Sequence, residues 1–200
     1  MGKDKNNKKM KKMIQSGMIA ATAIVITLSS CSKDPVNEIT TVEKTDSLIV
    51  NFSNGAPFAF FSFKNNGVVA NTDSATTKWD FGLRLTTFIL NSGAYGPGSA
   101  GAILQNNIYS NVTAAPSTGY AYDTTTSQKA IKDGSWYDYN PTTHSFAPKA
   151  GQTFIFRTAD NHYVKMELLA TDYEPFVGPT PQKLIYRFRY TYQSNGSVNF

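Results

Sequence analysis

The run KLIYRFRYTYQ, Lys183–Gln193, constrains the fold more than any other segment of this chain. Apolar and aromatic residues take every second position from Leu184 to Tyr190, with Arg187 and Arg189 between them. A repeat of two is the side-chain period of a β-strand with one buried face. Because no stretch of ten or more residues shows a helical period, the sequence predicts an all-β fold.

Further short runs rich in β-branched and aromatic residues lie between clusters of turn residues. They are LIVNF, FAFFSF, KWDFGLRLTTFIL, GQTFIFRT and HYVKMELLA. Their spacing predicts antiparallel strands in a two-sheet sandwich or an open barrel. Between Ala100 and Asp133, Thr, Ser and Asn interrupt the apolar groups, so part of that region is expected to be loop.

The N-terminus has the three parts of a secretory signal peptide. Met1–Lys12 carries six lysines, the apolar run GMIAATAIVITL follows, and Ser29 and Ser30 supply small residues for cleavage. The apolar run is too short to span a membrane. Residues 1–30 are therefore predicted to be a signal peptide.

Cys31, the only cysteine, stands in LSSC, directly after the apolar run. This string resembles a bacterial lipobox, in which cleavage precedes a cysteine that is then lipidated. The alternative is an unpaired thiol in a secreted protein. Residues 31–47 are predicted to comprise the lipidated cysteine and a flexible tether, and 48–200 the β domain. The opening CSKD also resembles lipoproteins displayed at the cell surface, which favours a lipid anchor in the outer membrane.

The net charge of +5 comes from the leader. Of 19 basic residues six lie in the first 30, leaving 13, and of 14 acidic residues only Asp4 lies there, leaving 13. The mature chain is neutral, so its charge does not favour nucleic-acid binding. No phosphate-binding loop, paired zinc cysteines or nucleophile elbow is present, so the chain is predicted not to be an enzyme.

His144, His162 and Met166 are the side chains of the β domain best suited to bind haem iron. Met166 alternates with Val164 and Leu168, the pattern of a core strand, and His162 follows ADN, a hairpin-turn sequence. Both are therefore weaker candidates for axial ligands. His144 lies in a polar loop beside the aromatic run SWYDY, from which it could approach a flat ligand. An exposed loop residue without function is the alternative.

Three strings, TKWDFGLRL (77–85), FIFRTADNHYVKMEL (154–168) and YRFRYTYQ (186–193), resemble the HmuY family of haem-binding lipoproteins. The resemblance extends from about Leu48 to Gln193. It implies a lipid-anchored β protein that captures haem outside the cell and passes it to a TonB-dependent outer-membrane receptor. The pairs Trp–Asp and Arg–Thr–Ala–Asp resemble structural signatures of that family that do not contact the ligand.

The resemblance also indicates where the side chains that bind haem iron are expected. STGYAYD (117–123) and GSWYDY (134–139) resemble the segments that flank the family's first axial ligand, yet the residues between them include no His or Met. The second ligand would fall near Asn140 or Pro141, and His144 is the nearest usable donor. The haem pocket is then expected at the aromatic residues of this region, which are Trp136, Tyr137, Tyr139 and Phe146.

The function expected from these observations is haem capture for iron acquisition, with haem as the bound ligand and no metal other than haem iron. The alternative is a lipoprotein on the same β scaffold that binds another apolar or glycan ligand or acts in adhesion. In each case the protein would recognise its ligand through exposed aromatic side chains.

Overall fold

The computed structural model describes residues 41–53, 55–174, 178 and 183–200. These residues form eleven strands and two 3-10 helices, the latter at Asn71–Asp73 and Tyr109–Asn111. The strands are β1 (Glu43–Asn51), β2 (Ala59–Ser62), β3 (Gly67–Val69), β4 (Phe81–Arg84), β5 (Thr87–Leu90), β6 (Gly101–Gln105), β7 (Tyr137–Asn140), β8 (Ser145–Pro148), β9 (Thr153–Arg157), β10 (Tyr163–Tyr173) and β11 (Lys183–Gln193).

The strands form two main antiparallel sheets and one separate hairpin. The larger sheet has the order β1-β11-β10-β9-β6, the smaller has the order β3-β2-β4-β5, and β7 pairs only with β8. In the larger sheet, β11 pairs Leu184 to Tyr190 with β1 on one side and β10 on the other. The alternating residues of β11 therefore extend across the centre of this sheet, where one face is buried.

Aromatic side chains from the two sheets interlock to form the core. Phe61 of β2 meets Phe188 of β11 edge to face at 5.1 Å between ring centroids, and Phe81 of β4 stacks on Phe156 of β9 at 5.8 Å. All four rings are at most 1 % exposed. The prediction of an antiparallel all-β fold with two sheets is confirmed, and each sheet has open edges rather than closing into a barrel.

One predicted run is divided in the structure. KWDFGLRLTTFIL contains two strands, β4 and β5, which pair through a tight turn at Leu85 and Thr86. Leu85 has a φ of 48°, in the left-handed region that a bulky residue seldom adopts. The Tyr186 hydroxyl donates to the Leu85 carbonyl and the Trp136 indole N–H donates to the Thr86 carbonyl. These distant side chains hold the turn.

The ordered strand begins earlier than predicted. β1 starts at Glu43, so the last residues assigned to the tether, Glu43–Ser47, pair with β11. Their polar composition fits an edge strand, where charged side chains are common. One of them, Glu43, forms a salt bridge of 3.6 Å with Arg189 of β11. The predicted signal peptide 1–30 and Cys31 lie outside the described residues. Within the described ranges, no helix has the length and hydrophobicity needed to cross a membrane.

Candidate functional site

His144 lies in the turn of the β7–β8 hairpin. The Asn140 side-chain oxygen accepts hydrogen bonds from the backbone N–H groups of Thr142 (2.9 Å) and Thr143 (3.3 Å), which closes the turn after Pro141. His144 then takes a φ of 51°, a left-handed conformation that His adopts more readily than most residues. The turn therefore presents the imidazole at an exposed hairpin tip.

Tyr139 fixes the orientation of the His144 ring. The Tyr139 hydroxyl oxygen lies 2.9 Å from His144 Nδ1, and Tyr139 is 55 % exposed. His144 Nε2 makes no hydrogen bond to another described residue. For Nε2 to bind a metal, Nδ1 must carry the proton and donate it to the Tyr139 oxygen, the arrangement that usually orients a metal-binding histidine.

Two of the four predicted pocket residues belong to the core. Trp136 is 1 % exposed and Phe146 is 8 % exposed, and their rings contact each other with centroids 5.9 Å apart. Phe88 and Tyr186 cover other parts of the Trp136 ring. The faces of Trp136 and Phe146 are therefore occupied by protein rings and are not open to a ligand in this structure.

Other aromatic residues are partly exposed around the same hairpin. Tyr137 is half-buried against Trp136, and Tyr173, at the end of β10, contacts both Phe146 and the 37 % exposed Phe52 at 6.2 Å. Burial raises the pKa of Tyr173, and the nearby Tyr139 phenol acts in the same direction. Tyr139 contacts His144, with ring centroids 6.5 Å apart, and with Tyr137, Tyr173 and Phe52 it forms an aromatic edge along this hairpin. Phe52 and Tyr173 are not among the pocket residues predicted from the sequence, because they come from distant segments.

Met166 and His162 lie away from this hairpin tip. Met166 is fully buried between its strand partners Phe154 and Tyr190, so no ligand can reach its sulfur without opening the core. His162 is half-buried in the β9–β10 turn, with Nδ1 3.2 Å from the Asp160 carboxylate. The hairpin predicted from ADN is confirmed, since β9 and β10 pair on either side of it.

Asp80 joins two of the strings that carry the family resemblance. Its carboxylate accepts hydrogen bonds from the backbone N–H of Phe63 (2.8 Å) and of Ala159 (3.2 Å), so the Trp–Asp and Arg–Thr–Ala–Asp sequences meet there. Burial raises the pKa of Asp80 to about 6, although the two hydrogen bonds act in the opposite direction. This contact ties the smaller sheet to the β9–β10 turn. The contact joins two parts of the fold, which agrees with the resemblance of both strings to structural signatures.

Asp123 anchors the segment that lacks the expected first ligand. Its carboxylate accepts hydrogen bonds from the N–H groups of Leu90 and Ala130, both at 2.7 Å. Burial raises the pKa of Asp123, and these two hydrogen bonds lower it in part. The short connection from Asp123 to Trp136 therefore packs against the core, in which its residue Ile131 is only 2 % exposed.

A groove of about 410 Å³ lies between this connection and edge strand β6. It reaches Ser135, at the base of the β7–β8 hairpin, and does not include His144. β7 has four residues between the base and the turn, and a strand rises about 3.3 Å per residue, so the hairpin tip is on the order of 13 Å from the base. The structure therefore separates the groove from the histidine. No group of three or more His, Cys, Asp or Glu side chains suited to a metal ion occurs among the described residues.

No family model matches the chain, and no curated protein does. Three similar solved structures are a Bacteroides fragilis protein assigned as a lipoprotein, a Bacteroides vulgatus protein assigned as HmuY-like and haem-binding, and the apo HmuY analogue of Tannerella forsythia. Their identities are 10 %, 11 % and 12 %, and their TM-scores 0.47, 0.42 and 0.42. The matches cover 72 %, 73 % and 76 % of this chain and 89 %, 90 % and 96 % of those chains.

HmuY-like proteins, the family that the sequence resembles, are thus among the similar structures, and none of the three is named as an enzyme. At these identities and TM-scores, no residue role passes from them to this chain. The roles of His144 and its neighbours depend on this chain's own geometry.

Proposed function

We propose that this chain is a lipoprotein that captures haem or a related porphyrin. In the full proposal Cys31 is lipidated, the protein is anchored in the outer membrane and exposed at the cell surface, and it passes haem to a TonB-dependent receptor. The support for anchoring is the leader and the LSSC string, and the support for haem is the resemblance of three separate strings to the HmuY family.

The observation that carries the proposal is the exposed Tyr139–His144 pair on the β7–β8 hairpin. Because Tyr139 engages Nδ1, the free Nε2 of His144 is the atom that contacts haem iron. Tyr139 offers ring surface next to it for the porphyrin, and Tyr137, Tyr173 and Phe52 extend the aromatic edge along the hairpin. Imidazole is a common axial ligand of haem iron, and a single such ligand leaves the opposite axial position open.

A haem titration followed at the Soret band tests the proposal. The wild-type protein is expected to shift the Soret band of added haem at micromolar concentration. His144→Ala is expected to weaken binding at least tenfold, whereas His162→Gln, at the chain's other histidine, is expected to bind as the wild type does.

The two possible failures have different meanings. If His144→Ala binds haem as tightly as the wild type does, the ligand assignment is wrong and the haem-binding function stands. If the folded wild-type protein produces no Soret shift, haem binding is rejected and the alternative of another ligand on this scaffold is favoured.

A further inference from the structure

The groove beside β6 has an apolar wall. The backbones of Ala102 and Ala121, which both line it, exchange hydrogen bonds of 2.9 and 3.0 Å, so the segment before Asp123 pairs with the edge strand. Ile103 and Leu104 of β6 and the buried Ile131 line the groove. Its volume of about 410 Å³ lies within the range of small-molecule sites, roughly 300 to 1,000 Å³.

Polar side chains also line the groove. The Gln152 side-chain N–H donates to the Asn106 side-chain oxygen at 3.0 Å, while the Gln152 carbonyl oxygen is buried and has no hydrogen-bond partner among the described residues. Because that oxygen is buried, a ligand in the groove does not reach it.

Lys132 places a positive charge beside the groove. It is exposed, lines the groove, and forms no salt bridge within the described part of the chain. The neighbouring Asp133 is paired with Lys129 at 3.1 Å, which offsets the charge of that carboxylate. The groove therefore combines an apolar wall with one cation.

From this combination we infer that the groove binds an amphipathic carboxylate, a molecule with an aliphatic body and an acidic end. The aliphatic body lies against Leu104 and Ile131, and the carboxylate pairs with Lys132. This site is distinct from the Tyr139–His144 hairpin and does not depend on haem binding.

Calorimetric titration of the protein with dodecanoate and dodecanol, each below its aggregation concentration, tests the inference. We expect one dodecanoate per chain, and binding of the uncharged alcohol about tenfold weaker because it lacks the ion pair.

Variants locate the site. Lys132→Glu is expected to weaken dodecanoate binding at least tenfold, and Ala121→Leu is expected to weaken it by filling the groove. Lys44→Gln, at an exposed lysine of β1, is the matched control and is expected to leave binding unchanged. The inference is overturned if dodecanoate does not bind, if dodecanol binds equally well, or if Lys132→Glu binds as the wild type does.

Discussion

The hydroxyl oxygen of Tyr139 lies 2.9 Å from Nδ1 of His144, across the two strands of the β7–β8 hairpin. Tyr139 is paired with Phe146, and His144 precedes β8 in the turn, so the hairpin register determines this contact. It leaves the second imidazole nitrogen facing away from Tyr139. The pair thus supplies both a donor atom for iron and the group that orients it.

Tyr139→Phe removes the hydroxyl and keeps the ring. We expect haem affinity to fall roughly 10- to 100-fold, the usual cost of losing the group that orients a metal-binding histidine. Tyr122→Phe, at another exposed tyrosine, is the control in the same Soret titration. Unchanged affinity of Tyr139→Phe would show that His144, if it binds iron, needs no orienting partner.

Met166 is expected to act in packing and not in ligand binding. Met166→Leu nearly conserves volume, so we expect a loss of less than about 1.5 kcal/mol in the free energy of unfolding and unchanged haem binding. Met166→Ala leaves a cavity and is expected to cost about 2 to 5 kcal/mol. Urea unfolding measures both changes, and loss of the Soret shift in the stable Leu variant would instead identify Met166 as a ligand.

Asp80 is expected to make stability depend on pH. Its pKa is about 6 in the folded protein against an ordinary value of 3.8, so folding favours the protonated carboxyl. This contribution is fully present below pH 3.8 and is lost as the pH rises through about 6. At about 1.4 kcal/mol per tenfold change in acidity, it amounts to about 3 kcal/mol.

Asp80→Asn removes this titration and serves as the reference. Urea unfolding of both proteins at pH 4 and pH 7.5 is expected to show the wild type losing stability relative to Asp80→Asn at the higher pH. Because all other titratable groups are the same in both proteins, their contributions largely cancel in the difference. A difference that does not vary with pH would contradict the raised pKa.

Substitutions at two glycines distinguish the stability cost of backbone strain from the cost of a steric clash. Gly93 and Gly134 both have positive φ values, 53° and 78°. A Cβ at Gly93 would lie 1.6 Å from the Asp123 carbonyl oxygen, whereas one at Gly134 meets nothing within 4 Å. We expect Gly134→Ala to cost about 1 to 2 kcal/mol and Gly93→Ala clearly more, as measured by urea unfolding. Equal losses would show that the Asp123 segment moves aside easily.

The strand pattern was readable from the sequence because burial on one face imposes a period of two. β11 follows its predicted span, and β9 and β10 lie where their apolar runs predict them. The start of β1 was missed because an edge strand with an exposed face needs few apolar residues. The β4–β5 turn was missed because hydrogen bonds from Trp136 and Tyr186, distant in sequence, hold it.

The candidate site was only partly predictable for a related reason. An aromatic residue next to a loop histidine can point toward the ligand or into the core, and the sequence does not distinguish the two. Trp136 and Phe146 turn inward and Tyr139 outward. Phe52 and Tyr173 join the exposed edge only because β1 and β10 end near the hairpin.

The sequence by itself determined the all-β class, with a two-sheet sandwich or an open barrel as its architecture, and the resemblance to HmuY-like proteins, because local alternation and motif strings are properties of neighbouring residues. Only the tertiary structure decided that Asp80 joins the two motif strings, that Met166 is buried, and that His144 and the groove beside β6 are separate. Those relationships depend on contacts between segments far apart in the chain, which the packing of the sheets and the tight loops establishes.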